Sequence, residues 1–435
     1  MKRGFRRTVC IGVALLAIIG ICLWVFWPRG TVITFGMMAG SYWDVPNGNC
    51  YQIVDGVIRR FEAAHPGVRV EYTSGIMKRD YSEWLSEQML LGKGPDVFMV
   101  EPDDVNTFSS IGALKPLNDF IAKDGNFRAS DYYAAAYGAG VYRGKQYALP
   151  YESVPSMMFI NKTLLSREKI PMPKDNWTWN DFYAICRQVT RDTNGDGRTD
   201  QFGCYDYAWE DAAYSNGATL FNADGTDCYL NDSKVEEAIQ FIRKLSNLSK
   251  DSSPTSNDFD FGRVAFRPFL FSDYRAYKPY PWSIKKYSNF EWDCIKMPAG
   301  PSGGNVSELN TLLMGISSKT SHSELAWEFL KMLTNDETTQ QEIFQYSQGV
   351  SVLKKVTKSV ETQTLLKQDM PVGQRFRPDA LDEVMSSAVT IPKFKKYHNV
   401  IQLADGRIDK LISDNQNVST ALMTLRKDIL NYLEQ

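Results

Sequence analysis

The stretch PDVFMV, residues 95–100, decides the fold: Val97, Phe98, Met99 and Val100 form an unbroken apolar run directly after the Gly92 and Gly94 break. So short a run, bounded by turn residues, predicts a strand buried on both faces, as in a parallel sheet covered by helices. Working outward, residues 31–35 (TVITF) and 68–72 (VRVEY) are strands of the same kind. Between them Ile53, Val54, Val57, Ile58, Phe61 and Ala64 recur at helical spacing until Pro66-Gly67, and a second helix is expected over 81–91. Strand, helix, strand, helix, strand with short connections predicts an α/β lobe. Ligands approach such sheets at the carboxyl ends of the strands, here the loops beginning at Gly36 and Glu101.

The chain is 435 residues long, which favours two or three domains over a single core. With 49 Lys+Arg against 51 Asp+Glu, the net charge of -2 argues against a nucleic-acid or polyphosphate partner. Ahead of the first strand, Lys2, Arg3, Arg6 and Arg7 precede an apolar run over 8–27 that is long enough to span a bilayer. The basic residues stay on the cytoplasmic side, so the remainder is expected outside. An uncleaved anchor, a cleaved signal and an atypical lipoprotein all export the chain. Outside that run the cysteines are Cys50, Cys186, Cys204, Cys228 and Cys294, without metal spacing. They allow either one disulfide, with Cys204 and Cys228 as a candidate pair, or buried thiols. Three histidines, His65, His322 and His398, leave little material for triad chemistry.

Residues 147–151 (YALPY) and 156–162 (SMMFINK) lead out of the first lobe. Helices are expected over 179–191, behind Thr178 as cap, and over 233–248, 323–334 and 416–434. Residues 311–317 (TLLMGIS) read as a strand crossing back to the first lobe. Two lobes joined by more than one crossing enclose a cleft, the usual place for a ligand.

In order along residues 32–356, the chain resembles the family 1 extracellular solute-binding proteins, the sugar receptors of bacterial ABC importers. The resemblance is carried by FEAAHPGVRV (61–70), GKGPDVFMVE (92–101), GALKPLNDFI (112–121), GKQYALPY (144–151), MMFINKTLL (157–165) and NWTWNDFYAICRQVT (176–190). It continues through DTNGDGRTDQFG (192–203), SNGATLFNADG (215–225), WDCIKMPAGPSGG (292–304) and SHSELAWEFLKMLTNDE (321–337). An apolar run stands where the family carries a lipid-bearing cysteine, and residues beyond 356 rest on pattern alone.

The resemblance implies an α/β, two-lobe periplasmic-binding-protein-like fold (type II) with several hinge crossings, preceded here by one transmembrane helix. Expected boundaries are 1–29 for the anchor, 30–150 plus about 311–350 for the first lobe, and 151–310 plus about 351–435 for the second. It further implies a monomeric, cofactor-independent receptor at the outer face of the membrane, with a carbohydrate ligand and ABC permease subunits as partners. A sensory receptor and an anchored glycan-cleaving enzyme are the alternatives, and no carboxylate pair is singled out for the latter. Positions matching the family's cleft are Ser41, Tyr42, Trp43, Glu101, Asp103, Tyr151, Glu152, Trp209, Glu210, Trp282 and Asn310. Their chemistry suits a sugar, with rings for its apolar face and acceptors and donors for its hydroxyls. Trp179, Trp292 and Trp327 lie in helix or strand patterns and are expected in the core.

Within DTNGDGRTD, residues Asp192, Asn194, Asp196, Arg198 (by its carbonyl) and Asp200 fall at positions 1, 3, 5, 7 and 9 of an EF-hand-like loop. Gly203 stands where the bidentate Glu would be. The loop is thus either a structural Ca²⁺ staple or a metal-free Asx turn.

Overall fold

The structure, a computed structural model, describes residues 30–45, 49–277, 290–368, 378–392, 394, 396–414 and 416–434. The expected anchor and Trp282 lie outside the described residues. Among the described residues no helix is long and apolar enough to cross a membrane.

The first half opens with β1 (Thr31–Gly36), α1 (Cys50–Ala64), β2 (Val68–Tyr72), α2 (Lys78–Leu90) and β3 (Val97–Val100). β1 pairs in parallel with both β2 and β3, and every residue of β3 is buried. Then α3 (Pro102–Ser110) begins directly at the carboxyl end of β3, with extended Glu101 before Pro102. Proline suits that first turn because its missing N–H has no helical partner to lose.

After α4 (Ala134–Gly138), the chain forms β4 (Ala148–Asn161), a 14-residue strand shared by both halves. The second half contains α5 (Trp179–Val189), β5 (Phe202–Cys204), α6 (Trp209–Ser215), α7 (Ser233–Ser246), β6 (Val264–Leu270), α8 (Phe271–Tyr277) and β7 (Trp292–Ile295). The chain re-enters the first half through β8 (Leu309–Ile316), α9 (Ser323–Thr334), α10 (Glu337–Tyr346), β9 (Val350–Ser351) and α11 (Pro378–Ser387). It finishes in the second half with α12 (Tyr397–Ser413) and α13 (Val418–Glu434).

One end of β4 lies antiparallel to β8, which is antiparallel to β3. The other end lies antiparallel to β6 and β7, with β5 parallel to β6. Where β4 meets β8 the register shifts: Leu312 faces Glu152 and Leu313 faces Pro150, leaving Tyr151 as the extra residue of a bulge. Pro150 has no N–H for the ladder, and bulges accommodate such residues.

Three crossings connect the halves side by side. Ser156 N donates to Glu308 O at 2.9 Å, Leu309 N to Val389 O at 2.8 Å, and Val389 N to Ser307 O at 3.0 Å. The third crossing corrects the expected boundary near 351. Val352, Leu353, Val356, Leu381, Val384 and Met385 share a continuous apolar core with α9 and α10, and Tyr133 Oη donates to Asp382 Oδ1 at 2.7 Å. Residues up to 388 therefore stay with the first half, because the apolar faces of these helices are buried there. Only α12 and α13 return, packing Val400, Ala404, Ile408, Leu422 and Leu425 into the core that contains Ile239 of α7. Trp179, Trp292 and Trp327 are all buried.

Candidate functional site

The crossings form the floor of a cleft between the halves. Pro102 and Asn106 of α3 line it from one side, Glu308 and Asn310 from the entry into β8, and Thr390 and Pro392 from the third crossing.

The loop after β1 supplies the first wall. Trp43 N donates to Ser41 Oγ at 3.1 Å, and the Tyr42 and Trp43 rings meet edge to face at 4.8 Å. Asp44 occupies the left-handed region at φ 56°, a conformation that stores backbone strain. Its Oδ2 accepts from Lys78 Nζ at 2.6 Å, and that ammonium lies 4.6 Å from the Tyr42 ring centre. Burial, and then the Asp104 carboxylate, push the Glu101 carboxyl up to about 7, with Lys78 pulling the other way. Burial, then Glu101 and Asp103, push the Tyr42 phenol well above its ordinary value. Tyr42, Glu101 and Asp103 thus form one electrostatic cluster at the strand tips, with Asp103 exposed.

Trp43, Tyr151 and Glu152 take a different position from an open ligand surface. Trp43 is 5% exposed and its Nε1 donates to Glu152 Oε1 at 2.9 Å. Ser347 Oγ donates to Glu152 Oε2 at 2.5 Å. Tyr151 is 4% exposed, and its carbonyl accepts from Gln340 Nε2 at 2.8 Å. The bulge and these buried hydrogen bonds turn all three side chains into the support of the wall. Burial pushes the Glu152 carboxyl up to about 7 against the opposing pull of Ser347 and Trp43.

The second wall is the amino-terminal turn of α6 with the start of α12. Trp209 is 4% exposed and donates from Nε1 to Asp405 Oδ1 at 2.9 Å, so it fixes α6 to α12 and leaves no free ring face. Its neighbour Glu210 lies against Asp405, and burial together with that second carboxylate raises the Glu210 pKa. Asp211 accepts from Ala208 N at 3.1 Å and is pushed up to about 7 by burial. The phenols of Tyr214 and Tyr397, both raised mainly by burial, sense Glu308 and Glu210. Tyr397 also senses Asp103 of the opposite wall. Asp206, which precedes this turn, is another non-glycine residue in the left-handed region, at φ 64°.

The structure brings Tyr42, Glu101, Asp103, Glu210 and Asn310 to the cleft and its two walls. Glu308, Tyr214 and Tyr397 belong to the same group and had not been singled out in the sequence. A signal existed for Glu308, which stands at the switch from the polar 300–307 turn to apolar β8. Tyr214 and Tyr397 meet only through the packing of α6 on α12, and nothing local in the sequence announces it.

The 192–200 loop closes on itself. Asp192 accepts from Gly195 N at 2.7 Å, Gly197 N at 2.8 Å and Asn194 N at 3.1 Å. Asp196 accepts from Arg198 N, and Asp200 from Thr193 N, each at 2.8 Å. The Gly197 and Gly195 amides accordingly hold the Asp192 carboxyl below its usual value. Among the described residues no group of three or more His, Cys, Asp and Glu is arranged to hold a metal ion. The donors expected for Ca²⁺ are directed at backbone amides, which is the Asx-turn geometry.

Carboxylates, an amide and phenols on facing walls can exchange hydrogen bonds with a polyhydroxylated solute, while tyrosine rings cover its apolar faces. A family model for bacterial extracellular solute-binding protein matches residues 49–340. A maltotriose-binding protein of Pyrococcus abyssi is 22% identical over 414 residues, covering 90% of this chain and 82% of that protein. In fold the chain is similar to the cyclic alpha-maltosyl-1,6-maltose binding protein from Arthrobacter globiformis, with a TM-score of 0.76, 18% identity, and coverage of 93% of this chain and 98% of that one. It is also similar to the sugar-binding protein MalE from Xanthomonas citri, with a TM-score of 0.72, 15% identity, and coverage of 93% and 98%. These relatives are solute-binding receptors and not enzymes. With the matched segment spanning most of its length, the chain belongs to the bacterial extracellular solute-binding proteins.

Proposed function

We propose that this protein is the extracytoplasmic receptor of an ABC importer, capturing a neutral oligosaccharide or glycoside between its halves and delivering it to a membrane permease. The observation that carries this reading is the set of three adjacent crossings beneath a cleft whose facing walls present Tyr42, Asp103, Glu210 and Tyr397. Small backbone rotations at residues 155–156, 307–309 and 389–390 would swing one wall toward the other around the ligand. The closed form is then selected by ligand binding and recognised by the permease. The similarity to a maltotriose-binding protein supports an oligosaccharide as cargo. The apolar run over 8–27 would tether the monomeric receptor at the outer face of the membrane. Capture needs no cofactor, and a cation at the 192–200 loop would be a staple remote from the chemistry of binding.

A thermal-shift panel of neutral mono-, di- and oligosaccharides tests this, because a ligand that binds only the folded state raises Tm. A neutral oligosaccharide should give the largest shift, and deleting the gene should abolish its uptake. Stabilisation by a peptide, polyol or metal complex while every sugar is silent would sink the carbohydrate reading. Sugar binding without any loss of uptake would sink the transport role.

A further inference from the structure

Two cysteines 18 positions apart meet behind the second wall of the cleft. Cys186 of α5 is fully buried, and Cys204, which ends β5, is partly exposed. Helix and strand are drawn together by Thr190, whose Oγ1 accepts from Gly203 N at 3.0 Å and donates to Cys186 O at 2.7 Å. A Cβ at Gly203 would stand 2.4 Å from Cys186 Cβ and 2.8 Å from its Sγ, so only glycine permits this approach. The next residue, Cys204, lies close enough for its thiol to act on that of Cys186. With α5 and β5 packed this closely at Gly203, the adjacent Cys204 is the cysteine placed to reach Cys186. Cys228 is positioned by other partners: its backbone bridges to Phe221, and its carbonyl accepts from Arg426 Nε at 2.6 Å.

We propose that Cys186 and Cys204 form a disulfide after export, stapling α5 to β5 directly behind the 205–210 segment that carries Glu210 to the cleft. Membership in an extracellular family places the chain where thiol oxidants act. The oxidant is a disulfide, either a small molecule of the glutathione type or the active-site pair of an oxidoreductase. The more accessible Cys204 thiolate attacks one sulfur of that disulfide and expels the other as a thiolate. Cys186 then loses its proton, attacks Cys204 Sγ and expels the second oxidant thiolate. Two protein thiols and one external disulfide thus become one protein disulfide and two external thiols, with the two electrons passing to the oxidant. Burial raises the Cys186 thiol well above its ordinary value, which makes the second step the slow one and accelerates it with pH. The bond closes the excursion that contains the 192–200 loop.

The full-length protein, expressed with export and alkylated before any reduction, provides the test. Trypsin cleavage after Lys174, Arg187, Arg198 and Lys234 puts Cys186 in peptide 175–187 and Cys204 in peptide 199–234. The expected result is a linked species of these two peptides that reductant separates, with fragment ions assigning the bond to Cys204 and not Cys228. Reductant should lower Tm by about 5 °C in the wild type and leave Tm of Cys204→Ser unchanged. The half-exposed Cys204 is the variant of choice, because Cys186→Ser alters a packed core. Complete alkylation of both cysteines after treatment of the folded protein with oxidised glutathione would overturn the proposal, and so would a bond from Cys186 to Cys228.

Discussion

Two indole–carboxylate pairs, one in each half, look alike and behave differently. Trp43 donates to Glu152, and Trp209 to Asp405, each at 2.9 Å and each from a buried ring. Both tryptophans hold in place a neighbour that faces the cleft, Tyr42 in the first half and Glu210 in the second. The first carboxylate is sealed, with its other oxygen taken by Ser347 and nine-tenths of its surface removed from water. The second is half-buried and lies against Glu210, whose charge acts on the Tyr397 and Tyr214 phenols. The first pair is therefore scaffold, whereas the second is wired to the ligand side. A tryptophan beside a cleft loop is an anchor when its N–H is committed to a buried acceptor, and the residue next to it faces the cleft.

Removing each acceptor should separate the two pairs. Glu152→Ala leaves a buried indole N–H and the Ser347 hydroxyl without their acceptor, and should lower unfolding stability by about 3 kcal/mol in urea. Asp405→Ala, at a half-buried site, should cost about 1 kcal/mol. Equal losses would erase the distinction between the pairs.

The pH profile sharpens the same contrast. The Glu152 carboxyl is held up at about 7 in the folded protein, against about 4.3 in an unfolded chain. Because the folded state holds this proton more tightly, its stabilising contribution is complete below about pH 4.3 and is lost as pH rises through about 7. Urea unfolding of Glu152→Gln should lack this component, which is on the order of 2 kcal/mol between pH 5 and pH 8. An identical pH slope in wild type and variant would remove Glu152 from the account. Smallest of all, a chelator should leave Tm unchanged, since the 192–200 loop is ordered by its own amides. A chelator-induced fall in Tm that added Ca²⁺ reverses would establish the metal staple instead.

The sheet was legible because β1, β2 and β3 announce themselves as short apolar runs separated by helical periodicity, and residues 311–317 as a strand returning to the first half. The boundary near 351 was not legible. Helices such as α11 carry an apolar stripe that fits either half, and only packing decides between them. At the cleft, Tyr42, Glu101 and Glu210 could be placed from the strand-tip rule and the family's order of motifs. Tyr151 went to the core because Pro150 forces a bulge whose direction the alternation of residues does not reveal. Trp43 and Trp209 were misread as platforms because their hydrogen-bond acceptors lie 109 and 196 positions away. Long-range partners of this sort, like Tyr397 for Tyr214, leave no local trace in the chain.

The most direct test of cleft capture is calorimetric titration of the best-stabilising oligosaccharide into wild-type protein and Tyr42→Ala, with both variants shown to be equally folded. The account predicts one site per chain, and affinity weakened about tenfold, or about 1.4 kcal/mol, when the Tyr42 ring is removed. Equal affinity in the two proteins would contradict the assignment of the ligand to this cleft.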